Sequence, residues 1–230
     1  LRMWENTDLV PRPDDVFQER LYCVRWAVPG EDRVYATVDA ADLAREAKAL
    51  ALVKQNFAEW QEKGYIPSSR IPRDGDKTEE PIRTRGWTHW HHLFTPRQLF
   101  MLGCFAKNAV LPAATDALRV GVAAVGIGAA VDYLSRLCGI NPHFSKGPGS
   151  TRNVFFNQAL SPQVSYASRP LDGIKDFLCA DFTAAPLAST AASVTLTDAR
   201  EVNVDSDIWF TDPPYADAVK YHELTDYFLA

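Results

Sequence analysis

The sequence predicts an α/β protein in which a mostly helical region, residues 1–170, precedes part of a parallel sheet in residues 171–230. Two apolar runs, 174–180 and 207–211, each end at an aspartate, as strands do where they meet a loop. About thirty residues separate the two runs, which suits the crossover that joins parallel strands. Before residue 170, apolar residues recur every three or four positions, the spacing of a buried helix face.

The composition is that of a folded protein, since the 230 residues are 47% hydrophobic and include six tryptophans. This is enough for one large domain or two small ones. The net charge of −5 has the wrong sign for a protein that binds DNA through its overall charge. The longest apolar stretch, 120–131, is too short to span a membrane. No C-x-x-C pair occurs among the cysteines, which fits reduced cytoplasmic thiols: Cys23, Cys104, Cys138 and Cys179.

The N-terminal part predicts a β-hairpin followed by a long helix. Residues 21–28 and 33–38 carry strand-forming side chains on either side of a turn, which is typical of an edge ribbon without chemistry. The helix begins at Asp39 or Asp42, which both suit a cap, and ends before Gly64. Its predicted buried face comprises Leu43, Ala47, Leu50, Val53, Phe57 and Trp60.

Residues 68–84 mix proline, glycine and charged residues, which predicts a mobile surface loop. Basic side chains in and beside this loop are of the kind that contacts phosphate groups. Neighbouring aspartates and glutamates dilute the positive charge, so a solvated loop is the favoured interpretation. The basic residues are Arg70, Arg73, Lys77, Arg83 and Arg85.

The stretch Trp87–His92 contains three histidines, a residue type that often binds metal ions. His91 and His92 are adjacent, however, and no cysteine or carboxylate lies at ligand spacing, so no metal site is predicted. We expect this stretch to anchor the C-terminal part of the chain through its aromatic rings. Stacking of Trp87 or Trp90 on nucleic-acid bases is the alternative.

Two more helices follow. The first starts at Pro96, with Thr95 as its cap and Gln98 at the third position, and ends near Asn108. Its apolar residues are Leu99, Phe100, Leu102 and Phe105.

The second of these helices runs from Pro112 or Asp116 to Cys138. It contains the glycine-rich run 125–128, which does not follow a strand and lies in helical sequence. Close helix packing is therefore favoured over a cofactor loop as the reason for Gly121, Gly126 and Gly128.

The sequence Asp212-Pro213-Pro214-Tyr215 directly follows the predicted buried strand 207–211. Ligands of open α/β sheets bind at the carboxyl ends of the strands. Two consecutive prolines hold the backbone extended and leave its carbonyl groups available as acceptors. A carboxylate, rigid carbonyl acceptors and an aromatic ring are the groups needed to grip a flat ring that carries an amino group.

This motif resembles the catalytic motif of the S-adenosylmethionine-dependent amino-methyltransferases of DNA. The resemblance extends to the segment 221–228 and to the block 87–99, which are similar to parts of large bacterial adenine-specific DNA methyltransferases with an N-terminal DUF1156 region. It covers most of residues 40–230. It implies a partial Rossmann-like methyltransferase sheet, a cytoplasmic enzyme, and a role in DNA modification, restriction-modification or antiviral defence.

The resemblance also implies a mechanism and its partners. Asp212 and the Pro213 carbonyl accept hydrogen bonds from the exocyclic amine of an adenine flipped out of double-stranded DNA, Pro214 stiffens the motif, and Tyr215 stacks on the base. Asp181 and Phe182, after the strand 174–180, match the family position that contacts the adenine of S-adenosylmethionine.

One family feature is missing from the sequence. The family carries a glycine-rich loop of the form D-P-F-x-G-x-G for the methionine part of the cofactor, and no segment here matches it. We therefore expect this chain to be part of a larger protein, completed by an upstream segment or a partner subunit. A non-catalytic DNA- or partner-binding module, and an enzyme acting on cytosine or RNA, remain the alternatives.

Overall fold

The computed structural model describes residues 12–14, 21–26, 34–110, 115–139, 152–155, 195–213 and 219–230. Two strands, β1 (Cys23–Trp26) and β2 (Val34–Thr37), are followed by helices α1 (Ala40–Glu62), α2 (Glu79–Arg85), α3 (Pro96–Val110), α4 (Ala117–Tyr133) and α5 (Tyr221–Leu229). Short 3₁₀ helices cover Trp90–Leu93 and Ala199–Glu201. Among these described helices, none is long and apolar enough to cross a membrane.

The predicted β-hairpin is confirmed, with strands that begin at Cys23 and end at Thr37 rather than at residues 21 and 38. β1 and β2 pair in antiparallel register, with Cys23 opposite Thr37 and Trp26 opposite Val34. Several of its large side chains are exposed, including Tyr35 at 61%. The hairpin is the one sheet formed by the described residues. The predicted parallel sheet is not tested by it, because the strand 174–180 lies outside those residues.

Helix α1 begins as predicted, and both candidate caps take part. The backbone N–H of Asp42 donates to the Asp39 carboxylate at 2.7 Å, and the backbone N–H of Asp39 donates back to the Asp42 carboxylate at 3.2 Å. This reciprocal arrangement satisfies amide groups that have no partner within the helix. At the other end, Gly64 adopts the positive φ of 70° that glycine tolerates best.

The buried face of α1 was only partly predicted. Val53 and Trp60 are buried, and Leu50 and Phe57 lie at the edge of the core. Leu43 and Ala47 were wrongly assigned to the core, since both are exposed. Apart from Asp42, which serves the cap, the buried positions of α1 begin at Ala49, so no described element covers its first turns.

The prediction of an irregular loop over residues 68–84 was wrong in part. Helix α2 begins within it, and Ile71 and Thr78 are buried. The backbone N–H of Ile71 donates to the carbonyl of Thr88 at 3.0 Å, which ties this stretch to the chain before the 3₁₀ helix. Because the stretch is mostly polar, its composition did not indicate that Ile71 and Thr78 are buried.

Helix α3 starts as predicted. The Thr95 backbone N–H donates to the Gln98 side chain at 2.8 Å, and the Gln98 backbone N–H donates to the Thr95 hydroxyl at 3.3 Å. Leu99 and Leu102 are buried, whereas Phe100 is half-buried.

Helix α4 starts at its Asp116 cap but ends at Tyr133, five residues before the predicted Cys138. The backbone N–H of Arg136 donates to the Leu93 carbonyl at 2.7 Å, and its guanidinium donates to the His92 carbonyl. Arg136 therefore makes hydrogen bonds to residues 92 and 93 in place of the bonds that would continue α4. Residues 134–138 form a buried turn instead.

Two of the three glycines of α4, Gly121 and Gly128, do not support the predicted close packing. A Cβ atom added at Gly121 or Gly128 would meet no atom of the described residues within 4 Å. The close approach occurs instead at Gly103 on α3, where a Cβ atom would lie 2.3 Å from Cζ3 of Trp60. The run 125–128 lies within α4, in agreement with its assignment to a helix rather than a cofactor loop.

Substitution Gly103→Ala should destabilise the protein, because the new methyl group would overlap the Trp60 ring. Overpacking of this kind costs about 1–3 kcal/mol of the free energy of unfolding, measured by chemical denaturation. Gly128→Ala is the matched control. In an open helical position it should stabilise the protein by about 1 kcal/mol, the difference in helix propensity. Equal effects at both sites would contradict the packing seen around Trp60.

Candidate functional site

Half of the Asp-Pro-Pro-Tyr motif lies within the described residues. Asp212 and Pro213 are exposed and belong to residues 202–213, which have no regular secondary structure. Pro214 and Tyr215 lie outside the described residues, as do the predicted cofactor contacts Asp181 and Phe182. The structure therefore gives no distances among the six predicted site residues beyond the adjacent pair.

The run before the motif differs from its predicted state as a buried strand. Ile208 is 83% exposed and Phe210 is 96% exposed, and residues 207–211 pair with none of the described residues as a strand. A strand forms only where a neighbour accepts its ladder of hydrogen bonds. The described residues provide no such neighbour here. Upstream, Asp198 caps the 3₁₀ helix Ala199–Glu201, and its carboxylate accepts from the Arg200 guanidinium at 2.6 Å.

Helix α5 follows the motif and contacts the helical region through one face. Glu223, Leu224 and Tyr227 are buried, whereas Tyr221 and His222 at the start of the helix are exposed. This buried face fixes α5 against the helical region.

Glu223 makes the most specific contact of α5. The backbone N–H groups of Lys77 and Thr78 and the Thr78 hydroxyl all donate to its Oε2 atom, at 2.8, 2.9 and 3.1 Å. Burial alone would raise the pKa of Glu223, but these donors outweigh it and hold the pKa below its usual value. Glu223 is therefore a charged acceptor at neutral pH, inside the protein.

Tyr227 lies one helical turn further on and packs among aromatic rings. Its ring stacks on Phe94 with centroids 5.9 Å apart and meets the edges of Trp90 and Phe155 at 6.1 and 5.5 Å. Its hydroxyl donates to the backbone carbonyl of Val131 at 2.8 Å. Because burial raises the pKa of Tyr227 well above its usual value, the hydroxyl keeps its proton.

The stretch Trp87–His92 anchors the chain as expected, since Trp90 contacts Tyr227 of α5 directly. Trp87 and Trp90 are each 2% exposed, so in this conformation neither ring has a free face for a nucleic-acid base. The guanidinium of Arg136 lies 5.7 Å from the centre of the Trp87 ring, a distance at which a cation and an aromatic face attract.

The three histidines of this stretch form a compact buried group. The ring centres of His91 and His92 are 4.3 Å apart. Nδ1 of His92 accepts from the backbone N–H groups of Thr88 and His89 at 3.2 and 3.3 Å, so its proton resides on Nε2, which faces the Arg12 carbonyl at 2.9 Å. His92 is therefore uncharged, and it joins the backbone of residues 88–89 to that of Arg12. No group of residues suited to hold a metal ion occurs in the described part of the chain.

Cavities among the described residues include one beside α5 and one beside α1. One, of about 250 Å³, lies beside α5 and is mainly apolar; its walls are Phe155, Val219, Tyr221, Leu224, Thr225 and Phe228. The other, of about 360 Å³, lies next to α1 and includes Arg12, Asp14 and Lys54. Val219, in the wall of the cavity beside α5, follows Tyr215 of the motif by four residues. This cavity is therefore closer to the motif in the sequence than the other one, and it is the better candidate for contact with a ligand.

Sequence reasoning missed Glu223 and the turn Gly75–Thr78 that binds it. An acidic residue in the first turn of a helix is normally explained by the helix dipole and solvent exposure. The local sequence gave no signal for a partner more than a hundred residues away. The one hint in the sequence is Thr78, three residues after Gly75 in a polar stretch, and this pattern is common in ordinary turns.

No protein-family model matches this chain, and searches of curated proteins and of solved structures find no match either.

The stability of the protein should fall as the pH drops below 6.5, in part because of His91. Burial, with the nearby His92 and His89, lowers the pKa of His91 from 6.5 to about 3. The unfolded chain therefore binds a proton at this residue near pH 6.5, whereas the folded chain resists protonation until about pH 3. Between pH 6.5 and pH 5 this should remove about 1.5 kcal/mol from the free energy of unfolding.

Denaturation of the wild type and of His91→Leu across this pH range measures the effect. The variant should lose less stability on acidification, whatever its stability at pH 7. His222→Gln, at an exposed histidine, should follow the wild type. Parallel curves for wild type and His91→Leu would contradict the assignment.

Proposed function

We propose that this chain is the motif-bearing part of an S-adenosylmethionine-dependent methyltransferase that modifies the exocyclic amine of adenine in DNA. The observation that carries the proposal is the sequence Asp212-Pro213-Pro214-Tyr215. The exposure of Asp212 and Pro213 supports it, because both acceptors can be reached by a substrate amine. We place the protein in the cytoplasm, in DNA modification or defence against phage.

In this proposal the residues of the motif orient the amine. The Asp212 carboxylate and the Pro213 carbonyl accept its two hydrogens, which draws the nitrogen lone pair out of conjugation with the ring. Tyr215 stacks on the flipped base. Such catalysis depends on positioning and on fixed dipoles rather than on a covalent enzyme intermediate.

The cofactor, S-adenosylmethionine, supplies the methyl group when bound. Asp181 and Phe182 would hold its adenine, the carboxylate accepting from the purine amine and the ring packing on its face. These residues lie outside the described ones, so the donor set can be judged by its chemistry alone, and that chemistry suits a purine. The glycine-rich loop expected for the methionine part is absent from the sequence.

A second candidate function is a non-catalytic binding module of a larger methyltransferase complex. The exposed apolar side chains of Ile208, Trp209 and Phe210 favour it, since they suit a run that pairs with another polypeptide. In the enzymatic proposal the same run pairs with the rest of the catalytic sheet. The two candidates therefore differ in catalysis rather than in the need for a partner.

Substitution Asp212→Ala should lower methyl transfer by about 100-fold or more, as loss of a preorganised polar contact to reacting atoms does. Methyl-labelled S-adenosylmethionine and unmethylated double-stranded DNA are incubated with the chain, alone and with any co-purifying partner. The methylated nucleosides are then identified by mass spectrometry. Asp205→Ala, at an exposed aspartate in the same segment, should retain activity.

N6-methyladenine that disappears in Asp212→Ala would support the proposal. N4-methylcytosine, or methylated RNA when RNA is offered, would reassign the substrate. Absence of methyl transfer in every combination, with DNA or partner binding retained, would favour the binding module. Calorimetric titration with S-adenosylmethionine should show weak or no binding by the chain alone.

A further inference from the structure

The cavity beside α1 brings together charged side chains from two parts of the chain. Its walls include Arg12 and Asp14 from the N-terminal segment and Lys54, Phe57 and Ala58 from α1. Among these residues the positive charges outnumber the negative ones by one, although the whole chain has a net charge of −5. The cavity is therefore a local site of attraction for anions on a protein that repels them overall.

The side chain of Lys54 is exposed and makes no ion pair with any described residue. Side chains three and four positions apart are neighbours on a helix, so a carboxylate at such a position would bind the lysine. The neighbours of Lys54 are all uncharged: Leu50, Ala51, Phe57 and Ala58. On the same helix, by contrast, Arg45 and Lys63 are paired with carboxylates about one turn away. The Lys54 ammonium is thus available to a ligand.

Arg12 is held in the cavity wall through its backbone. Nε2 of His92 donates to the Arg12 carbonyl at 2.9 Å. The ring centres of His92 and His91 are 4.3 Å apart, and the His91 ring meets the Phe57 ring of α1 edge-on at 5.1 Å. Two buried histidine rings thereby connect the two walls of the cavity. The Arg12 guanidinium makes no ion pair within the described part of the chain, so it too can bind a ligand.

This combination of groups suits a phosphate. A guanidinium can donate two parallel hydrogen bonds to phosphate oxygens, and an ammonium adds a compact positive charge. The cavity volume of about 360 Å³ lies within the range of about 300–1,000 Å³ that is usual for ligand pockets, so it has room for more than a phosphate ion. The Phe57 ring offers apolar surface to the rest of such a ligand.

We propose that the cavity beside α1 binds the phosphate group of a phosphate ester, held between the Arg12 guanidinium and the Lys54 ammonium. The organic part of the ligand lies beside Phe57. A nucleic-acid backbone and a free nucleotide both supply this chemistry, and the experiment below separates the two. The described residues of the Asp-Pro-Pro-Tyr motif are not among the walls, so this site does not depend on the function proposed above.

Titration of the full chain with inorganic phosphate at constant ionic strength, followed by amide NMR, tests the site. Saturable shifts of residues 54–58 are expected in the wild type. Arg12→Gln and Lys54→Gln should each raise the Kd for phosphate by about 2- to 5-fold, the contribution of one partly exposed charge pair. Lys54→Arg should preserve binding, and Asp14→Asn should strengthen it because a repelling carboxylate is removed.

Lys48→Gln is the matched control, because Lys48 is an exposed lysine of α1 that is not among the walls described above. It should leave the Kd for phosphate unchanged. An equal loss of affinity in Lys48→Gln would show that phosphate is attracted by the general charge of the helix, and it would overturn the proposal. Absence of saturable shifts at residues 54–58 in the wild type would overturn it as well.

Adenosine monophosphate and a short DNA duplex identify the source of the phosphate. If it is a nucleic-acid backbone, the duplex should displace inorganic phosphate, and Arg12→Gln and Lys54→Gln should each reduce the salt dependence of duplex binding by about one phosphate contact. If it is a free nucleotide, adenosine monophosphate should displace phosphate, and duplex binding should be the same in the variants and the wild type. Failure of both to displace phosphate would overturn the assignment to a phosphate ester. These titrations require no methyl transfer, so their result and that of the activity assay are independent.

Discussion

The ring of Tyr227 joins segments of the described core that are far apart in the sequence. It meets rings from the 3₁₀ helix, from the stretch after it and from residues 152–155, namely Trp90, Phe94 and Phe155. A large aromatic side chain buries much apolar area, and its hydroxyl must find an acceptor when it is buried. That acceptor is the carbonyl of Val131 on α4, so a single side chain fixes segments that are distant in the sequence.

The elements that could be predicted are those whose causes are local. The caps of α1 and α3 are formed by residues within three positions of each other, so Asp39, Thr95 and Gln98 reveal them directly. The wrong assignments depend on contacts with residues that are distant in the sequence, which local patterns do not reveal. Leu43 has the right spacing for a buried face but nothing covers it among the described residues, and α4 stops early because Arg136 binds carbonyl groups of another segment.

The same limit applies to the candidate site. The motif is readable because its four residues are adjacent, and their chemistry follows from their types. The apolar run before it predicts burial, yet burial depends on a second surface, and Phe210 is 96% exposed. Glu223 was overlooked because its donors, Lys77 and Thr78, lie in a polar stretch in the first half of the chain, and no rule of spacing connects that stretch with α5.

The separation between Glu223 and its donors has a consequence for the order of folding. These residues are 145 and 146 positions apart, and closing a chain over such a length costs conformational entropy that grows as about (3/2)RT ln n. Helices α1 and α3 are close in sequence and pack against each other, so their contact forms at a smaller entropic cost. The entropic cost therefore favours docking of α5 after α1 and α3 have packed, so that the helical core precedes the contact between Glu223 and residues 77–78.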